Sequence, residues 1–487
     1  MKICIAASEM APFVKTGGLG DVVGALPKAM ASQGHEVRVF IPHYDDLDLG
    51  TLRAKSVQCQ VQVSIGGKNY PVSLRVINFA RKGVSIYLIG NRHFFSRDGI
   101  YTDSDTGKDF TDNDERFIFF SRAVLAVLQD LDFRPDIVHA HDWQTALLPV
   151  FLKTSYADDP FFGGIHTVLT VHNLAYQGKF DAVRFSLLDL NDELLLPATG
   201  ALEFYGDVNF LKAGLIYADH ITTVSRQYAE EIQTPEFGCG LDGVLTERRK
   251  NLTGILNGVD YSIWSPSIDS KTYARYHINN LSGKRTNKVE FLGDAGLPIR
   301  DKVPLIGIIS RLEDQKGWDL IAAAADHLME MNVQMAVVGT GQPEYHELLN
   351  QLQMEHPDKF RCWLKFDDIL AHRIEAASDI FLMPSRFEPC GLNQLYSLKY
   401  GTVPIVRKVG GLADTIVDYD PATAKGNGFV FEEATSESML EAVERAVNLF
   451  GRKRAWTKVM KAGMRQDFSW NRSAKTYLGI FQQLIKT

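Results

Sequence analysis

Lys15-Thr16-Gly17-Gly18-Leu19-Gly20-Asp21 joins a predicted strand to a predicted helix. The strand, residues 2–7, is a short apolar run, and apolar residues recur at helical spacing between 19 and 30. A second apolar strand is predicted at residues 36–41. Adjacent glycines allow a ligand to approach the backbone at the start of the helix, where anions bind well, and the lysine adds a positive charge. The stretch therefore predicts a strand–loop–helix–strand unit that binds a phosphate or a sugar.

The glycine stretch alone leaves a second interpretation open, a tight turn that carries an exposed lysine. It is not the G-x-G-x-x-G fingerprint of dinucleotide-binding proteins, nor a Walker loop, in which the lysine follows the last glycine. An NAD-dependent oxidoreductase built on two such units is therefore disfavoured. Pro27 falls inside the predicted helix and should kink it or split it in two.

The bulk properties of the chain predict a two-domain globular enzyme. A length of 487 residues is too great for one ordinary core, and 45% hydrophobic with 23% charged residues is typical of globular proteins. The net charge of −7 argues against non-specific binding to nucleic acid. No apolar run is long enough for a membrane span, no signal-peptide pattern is present, and the five scattered cysteines form no C-x-x-C metal site. We therefore expect a reduced, cytoplasmic enzyme that binds neither membrane nor nucleic acid.

Polar residues follow two predicted strands of the first half. The strand at 137–140 is followed by His141-Asp142-Trp143, and the strand at 167–171 is followed by His172. Residues at the carboxyl ends of parallel strands face the ligand crevice, so Asp142 and His172 are candidates for holding sugar hydroxyls. Each has a structural alternative, because Asp142 could instead cap the next helix and a lone histidine at a strand end is often structural.

The remaining segments of the first half are predicted from their apolar patterns. Residues 97–114 are polar and acid-rich, and we expect a loop there. Strands are expected at 57–64, 70–79, 85–89, 220–224 and 255–260, and helices near 117–128, 144–152 and 210–216.

The second half alternates strands and helices more regularly, which predicts a doubly wound parallel sheet. Residues 266–300 are polar, and we expect helical turns on the surface there. The predicted strands are 303–309, 333–338, 360–364, 380–383, 403–406 and 428–431, and the clearest helices are 371–377, 392–399, 437–450, 453–464 and 472–485.

Three strand ends of the second half carry candidate binding groups. Arg311 and Lys316 lie in one loop before a helix, where a guanidinium fork and a compact ammonium suit a diphosphate, although both could be solvated surface bases. Glu388 precedes another helix and could accept sugar hydroxyls or cap that helix. Gly410-Gly411 begins a third helix, which is a weak signal alone.

Six motifs occur in the order found in bacterial glycogen synthases and plant starch synthases, and the chain resembles this family over nearly its whole length. The motifs are K-T-G-G-L-G-D-V, H-D-W, V-H-N-L-A-Y-Q-G, S-R-L-x-x-Q-K-G, S-R-F-E-P-C-G-L and G-G-L-A-D-T. The resemblance implies a GT-B fold, in which two Rossmann-like doubly wound domains face each other across a deep cleft. It also implies retaining transfer of glucose from ADP-glucose to the non-reducing end of an α-1,4-glucan.

The resemblance assigns roles where the residues match the motifs. It implies that Phe366 stands where the family commonly has a tyrosine stacked on adenine, and that Lys365 replaces a usual glycine. The implied catalytic residues are Asp142, His172, Arg311, Lys316 and Glu388. The implied substrate-binding residues are Lys15, Gly17, Gly18, Asp21, Asn257, Phe366, Cys390, Gly391, Leu392 and Thr415.

The resemblance also implies domain limits and conditions for activity. We expect an amino-terminal domain at 1–260, a carboxyl-terminal domain at 261–470 and a helix at 471–487 that crosses back to the first domain. Lys15 and Arg311 are both assigned to the donor's phosphates, so the lobes should close over the donor. No cofactor and no metal are expected. Alternatives are another GT-B enzyme, such as a UDP-glucose transferase or a phosphorylase, and an inactive glucan-binding regulator.

Overall fold

A computed structural model describes residues 1–45, 47–50, 52–79, 83–197 and 199–486. Thr487, the end of the predicted carboxyl-terminal helix segment, lies outside these residues. The chain forms two compact units. The first comprises Met1–Val224, Ala229–Gly258 and Trp470–Thr487, and the second comprises Ser225–Tyr228 and Val259–Ser469.

The first unit is built on a nine-stranded sheet. The first seven strands in spatial order run parallel, and the last two pair antiparallel at one edge. In spatial order the strands are Leu252–Gly254, His220–Thr223, His166–Val171, Ile137–His141, Lys2–Ala6, Glu36–Pro42, Val84–Gly90, Ser73–Phe79 and Lys55–Val57.

Helices cover this sheet, and short antiparallel strands lie beside it. The terminal helix packs its apolar face, including Tyr477 and Phe481, into the same core as the helix that follows the glycine stretch. The helices wholly within the first unit are Gly18–Ala31, Arg92–Phe95, Asn113–Asp130, Leu147–Lys153, Phe210–Tyr217, Asp242–Glu247 and Trp470–Leu484. The short strands are Gln62–Ile65 with Lys68–Pro71, and Lys179–Asp181 with Glu203–Phe204 and Asp207–Asn209.

Several sequence predictions for this unit are wrong in detail. The strand expected at 57–64 is two separate strands, Lys55–Val57 and Gln62–Ile65. The strand expected at 70–79 is also two strands, Lys68–Pro71 and Ser73–Phe79. The strand expected at 255–260 lies three residues earlier, at Leu252–Gly254, where it pairs with His220–Thr223. Of the two effects expected of Pro27, a kink or a split, the split does not occur, because the helix continues through the buried proline to Ala31.

The second unit contains a six-stranded sheet, and all its strands run parallel. The predicted doubly wound sheet is therefore confirmed. In spatial order the strands are Phe360–Trp363, Gln334–Val338, Leu305–Ile309, Ile380–Met383, Val403–Arg407 and Phe429–Phe431. The helices are Ser282–Asp294, Trp318–Glu330, Pro343–Glu355, Asp368–Ala377, Asn393–Tyr400, Gly410–Thr415, Ser436–Phe450 and Lys453–Met464.

The polar segment before this sheet corrects a further prediction. Instead of surface turns, it contains the helix Ser282–Asp294, whose Phe291 packs into a core cluster. Lys288 is buried there, with its Nζ 2.6 Å from Asp379 Oδ2 and 2.6 Å from the Val303 carbonyl oxygen. The polar composition hid the helix because its buried lysines are satisfied by partners that sequence does not reveal. No helix in the described part of the chain is both long and apolar enough to cross a bilayer.

Candidate active site

The glycine stretch leaves free space for a ligand beside the start of its helix. The helix begins at Gly18, and Gly17 before it provides no side-chain cap. A Cβ added at either glycine would meet no atom within 4 Å. Lys15, nearly half exposed, has its Nζ 3.0 Å from Asp21 Oδ1. The predicted cation and carboxylate are thus paired beside the amino terminus of this helix.

Glu9 holds this loop, although no sequence motif points to it. Its buried carboxylate accepts hydrogen bonds from the Thr16 backbone N–H at 2.6 Å, the Thr16 hydroxyl at 2.8 Å and the Tyr101 hydroxyl at 2.6 Å. In the sequence, Glu9 is only an acidic residue three positions after the strand Lys2–Ala6. Glu9 therefore fixes the backbone that presents Lys15 and the two glycines.

Asp142 and His172, predicted from two separate strand ends, lie together. The Asp142 Oδ1 accepts the His172 backbone N–H at 2.7 Å, and Asp142 makes no side-chain cap to the short helix that follows it. Asp142 has a φ of 56°, in the left-handed region that a non-glycine residue rarely adopts. The interpretation of Asp142 as a helix cap is therefore wrong. Its strained backbone instead lets the carboxylate bond to the end of the neighbouring strand.

The tryptophan of the same motif has a packing role. Trp143 is buried against Phe117, Phe180 and Phe210, with ring centroids 5.0, 5.6 and 6.4 Å away. Gly178 ends the His172 loop, and a Cβ there would lie 2.4 Å from Trp143 Cε3. The motif's glycine is therefore required for the loop to pass over the indole ring.

Burial controls the ionisation of these groups. It raises the pKa of the Asp142 carboxyl to about 7, against the lowering effect of the His172 and Asn173 backbone N–H groups. It lowers the pKa of the His172 imidazole to about 3. Near neutral pH, His172 is therefore uncharged, and Asp142 is divided between its two forms.

Asp142→Asn should be more stable than the parent protein at pH 8. Because the environment of the Asp142 carboxyl raises its pKa to about 7, this group takes up a proton on folding between its unfolded pKa and about 7, and the parent loses stability as pH rises through this window. The amide keeps an oxygen for the His172 N–H and has no charge to bury. Urea unfolding at pH 5 and pH 8 should show the variant's advantage shrinking at pH 5. An advantage that is equal at both values would contradict this ionisation.

In the second unit, Lys316 and Glu388 form an inward-facing ion pair. The Lys316 Nζ lies 2.7 Å from Glu388 Oε2, and their side chains are 18% and 8% exposed. The Ser385 hydroxyl donates to the same oxygen at 3.0 Å. Glu388 does not cap the helix Asn393–Tyr400, so the capping interpretation is wrong here too. The loops that follow two neighbouring strands thus bring a cation and a carboxylate into contact.

Arg311 lies on the same loop as Lys316 but is far more exposed. Its guanidinium contacts Glu313 Oε1 at 3.0 Å and Gln315 Oε1 at 3.4 Å. The guanidinium therefore has no buried partner among the described residues and remains able to bind a second anion. The alternative that these residues are solvated surface bases therefore fits Arg311 better than it fits Lys316.

The helix at the second glycine pair fixes the Glu388 loop. The Gly411 N–H donates to the carbonyls of Glu388 at 3.1 Å and Pro389 at 3.2 Å. Asp414 of the same helix accepts the N–H groups of Arg226 and Gln227, an interaction that the sequence did not predict. The G-G-L-A-D-T motif therefore fixes the backbone of the Glu388 loop and the backbone at Arg226 and Gln227.

The other predicted binding residues are placed as follows. Asn257 is 4% exposed, and its Oδ1 has no hydrogen-bond partner among the described residues. Phe366 is 80% exposed, beside the Lys365–Asp367 ion pair. Cys390 is buried, while Gly391 and Leu392 are half-buried where the loop enters its helix. Thr415 is buried, and its hydroxyl donates to the Gly411 carbonyl at 2.7 Å. Across the described ranges, no three His, Cys, Asp or Glu side chains are grouped to hold a metal ion.

Family models match both units. The model described as the starch synthase catalytic domain matches residues 2–247, and that of glycosyl transferases group 1 matches residues 294–460. The chain is 47% identical over 483 residues to a glycogen synthase of Koribacter versatilis, covering 99% of this chain and 98% of that protein. It is 45% identical over 492 residues to one of Pseudothermotoga lettingae, covering 100% and 99%.

Solved structures agree. The catalytic domain of starch synthase IV from Arabidopsis thaliana, bound to ADP and acarbose, matches with a TM-score of 0.90 and 34% identity, over 100% of this chain and 99% of that one. Two units, one with a mostly parallel and one with a fully parallel sheet, together with these matches, define a GT-B glycosyltransferase. The chain belongs to the family of bacterial glycogen synthases and plant starch synthases.

Proposed function

We propose that this enzyme transfers glucose from ADP-glucose to the non-reducing end of an α-1,4-glucan and retains the anomeric configuration. The Lys316–Glu388 pair is the observation that carries the proposal. In this pair the Lys316 ammonium lies 2.7 Å from the Glu388 carboxylate at neighbouring strand ends, which supports assigning the ammonium to a phosphate and the carboxylate to sugar hydroxyls. A nucleoside diphosphate hexose carries both a diphosphate and sugar hydroxyls. One donor molecule can therefore bind to Lys316 and to Glu388.

The second unit supplies the groups that stabilise the leaving diphosphate. When the bond to the anomeric carbon breaks, negative charge develops on the ADP oxygens. Lys316 and Arg311 offer charge-assisted hydrogen bonds to these oxygens, and such bonds are worth about 1.5–3 kcal/mol each. Glu388, held in place by Lys316 and Ser385, accepts sugar hydroxyls. We assign the adenine to Phe366, whose ring is free to stack.

The first unit supplies groups for the sugar and the phosphates. Asp142 and His172 would hold the glucosyl ring, and the Lys15 loop with Gly17 and Gly18 would contact the donor's phosphates at the start of its helix. Asp21, Asn257 and Thr415 keep their roles as predicted substrate-binding residues. A cytoplasmic location also stays a prediction.

Same-face transfer is the mechanism that these contacts favour. A double displacement requires a carboxylate free to attack the anomeric carbon. Glu388 instead pairs with Lys316 and accepts from Ser385, while Asp142 accepts the His172 backbone N–H. We therefore propose that ADP leaves and the acceptor hydroxyl attacks on one face of the sugar, through an oxocarbenium-like state.

Turnover of ADP-glucose and UDP-glucose on glycogen, measured side by side, tests the proposed function. ADP-glucose should give the higher kcat/KM. Faster turnover of UDP-glucose would instead support a UDP-glucose transferase. No turnover of either donor, with glycogen still bound, would support an inactive regulator. Bound pyridoxal phosphate absorbance would identify a phosphorylase.

Activity should survive thorough treatment with EDTA. Arg311 and Lys316 supply two positive charges for the diphosphate, which is the task that Mg²⁺ performs in many transferases. Initial rates with ADP-glucose and glycogen, measured before and after EDTA and gel filtration, should agree within about twofold. Loss of activity that Mg²⁺ restores would contradict this prediction.

A further inference from the structure

His141 is buried against His172, and the proposed mechanism gives it no role. The His141 Nδ1 lies 2.9 Å from the His172 Nε2, and the two rings are stacked with centroids 5.3 Å apart. His141 is fully buried, whereas His172 is half-buried. Because both atoms are ring nitrogens, one must donate the hydrogen bond and the other must accept it.

Both rings are neutral when the protein is near pH 7. Burial lowers the pKa of His172 to about 3 and that of His141 well below the ordinary value, and the nearby His139 lowers the latter further. Each ring therefore carries one N–H, on one of its two nitrogens. Which nitrogen of His141 carries the proton therefore determines which nitrogen of His172 carries it.

The other nitrogen of His141 decides between the two arrangements. Its Nε2 is buried and has no hydrogen-bond partner among the described residues. If Nε2 carried the proton, a buried N–H would have no acceptor, and such orphaned donors are rare in proteins. If the proton is on Nδ1, it is used in the bond to His172, and only a lone pair on Nε2 is unpaired.

We propose that His141 is a positioning residue that donates its Nδ1–H to His172 Nε2 and so fixes the proton of His172 on Nδ1. No hydrogen bond of the described residues involves His172 Nδ1, so its N–H is available for a hydroxyl of the donor sugar. The sugar contact rests on the proposed function, whereas the arrangement of protons does not.

The protons can be located directly in the parent protein by NMR. Long-range ¹H–¹⁵N spectra of enzyme labelled with ¹⁵N-histidine distinguish the two neutral tautomers, and the spectrum of a His172→Asn variant identifies the His172 signals. We expect the Nδ1–H tautomer at both His141 and His172. An Nε2–H tautomer at His172 would overturn the proposal, whether or not the enzyme turns over ADP-glucose.

Variants separate positioning from packing. His141→Leu removes the donor, so His172 should become a mixture of tautomers and kcat should fall about tenfold or more, with a smaller change in donor KM. His141→Asn places an amide nitrogen near the position of Nδ1 and should restore most of the loss. His220→Leu is the control, because His220 lies on the strand His220–Thr223 of the same sheet and its Nε2 bonds to the Thr253 hydroxyl, away from His141. It should change neither the tautomer nor kcat. Equal losses in the leucine and asparagine variants, or in the control, would overturn the proposal.

Discussion

Lys316→Ala should lower kcat for glucosyl transfer by roughly 10²–10³, with a much smaller rise in donor KM. This is the range seen when one preorganised anion stabiliser is removed, about 2.7–4 kcal/mol. The reason is that Lys316 is only 18% exposed and fixed by Glu388 at 2.7 Å, so it needs no reorganisation as charge develops on the diphosphate. Arg311→Ala should act in the same direction. Lys316→Arg should rescue poorly, because a planar fork does not replace a point charge.

Lys408→Ala is the matched control for this prediction. Lys408 lies in the same unit and also pairs with a carboxylate at 2.7 Å, that of Glu432, but its side chain is 57% exposed. Exposed pairs contribute about 0–1 kcal/mol, so this variant should keep its kcat and its stability. Since Lys316→Ala leaves a buried carboxylate unpaired, its folding must be checked by circular dichroism. A near-normal kcat in folded Lys316→Ala would contradict the proposal that Lys316 stabilises the leaving diphosphate.

Gly411→Ala should lower kcat by about 10² although residue 411 has no side chain to contact a substrate. A Cβ at this position would lie 2.1 Å from the Cys390 carbonyl oxygen and 2.5 Å from its Cα. These are backbone atoms, so the loop between Glu388 and Cys390 must move. A displacement of 1 Å in a catalytic group can cost about 10²-fold, and overpacking typically costs about 1–3 kcal/mol of stability.

Gly293→Ala gives the control for a glycine without close neighbours. Gly293 lies in the helix Ser282–Asp294 of the same unit, and a Cβ there would meet no atom within 4 Å. Alanine should therefore leave kcat unchanged and stabilise this helix by about 0.5–1 kcal/mol. If Gly411→Ala behaves like Gly293→Ala in kinetics and urea unfolding, the packing of the Glu388 loop is not as described.

Residues near strand ends were the part of the site that sequence predicted best. His172, Lys316 and Glu388 were found because an apolar strand followed by a polar residue is a local pattern. The sequence could not show that Lys316 and Glu388 pair, because 72 residues separate them and their proximity depends on strand order. It also left helix capping open for Glu388, which only the tertiary contact excludes.

The supporting residues were harder to predict. Glu9 and His141 act through long-range contacts with Tyr101 and His172. His141 belongs to the H-D-W motif, but the motif does not show that its ring meets His172, and Glu9 belongs to none of the six motifs. The helix at Ser282–Asp294 was missed for a different reason, since its lysines are buried against oxygens contributed by distant segments. Local hydrophobic pattern predicts elements, whereas these features depend on how the elements pack.

The products formed from ADP-glucose and a short maltooligosaccharide test the central claim most directly. Proton NMR of the reaction mixture should show one ADP released for each new glucosyl linkage, and every new linkage should be α-1,4 from the first turnovers onward. No glucosyl ester on Glu388 or Asp142 should appear by mass spectrometry of the quenched enzyme. A β linkage, linkage formation without ADP release, or a trapped ester on either carboxylate would contradict retaining same-face transfer by this enzyme.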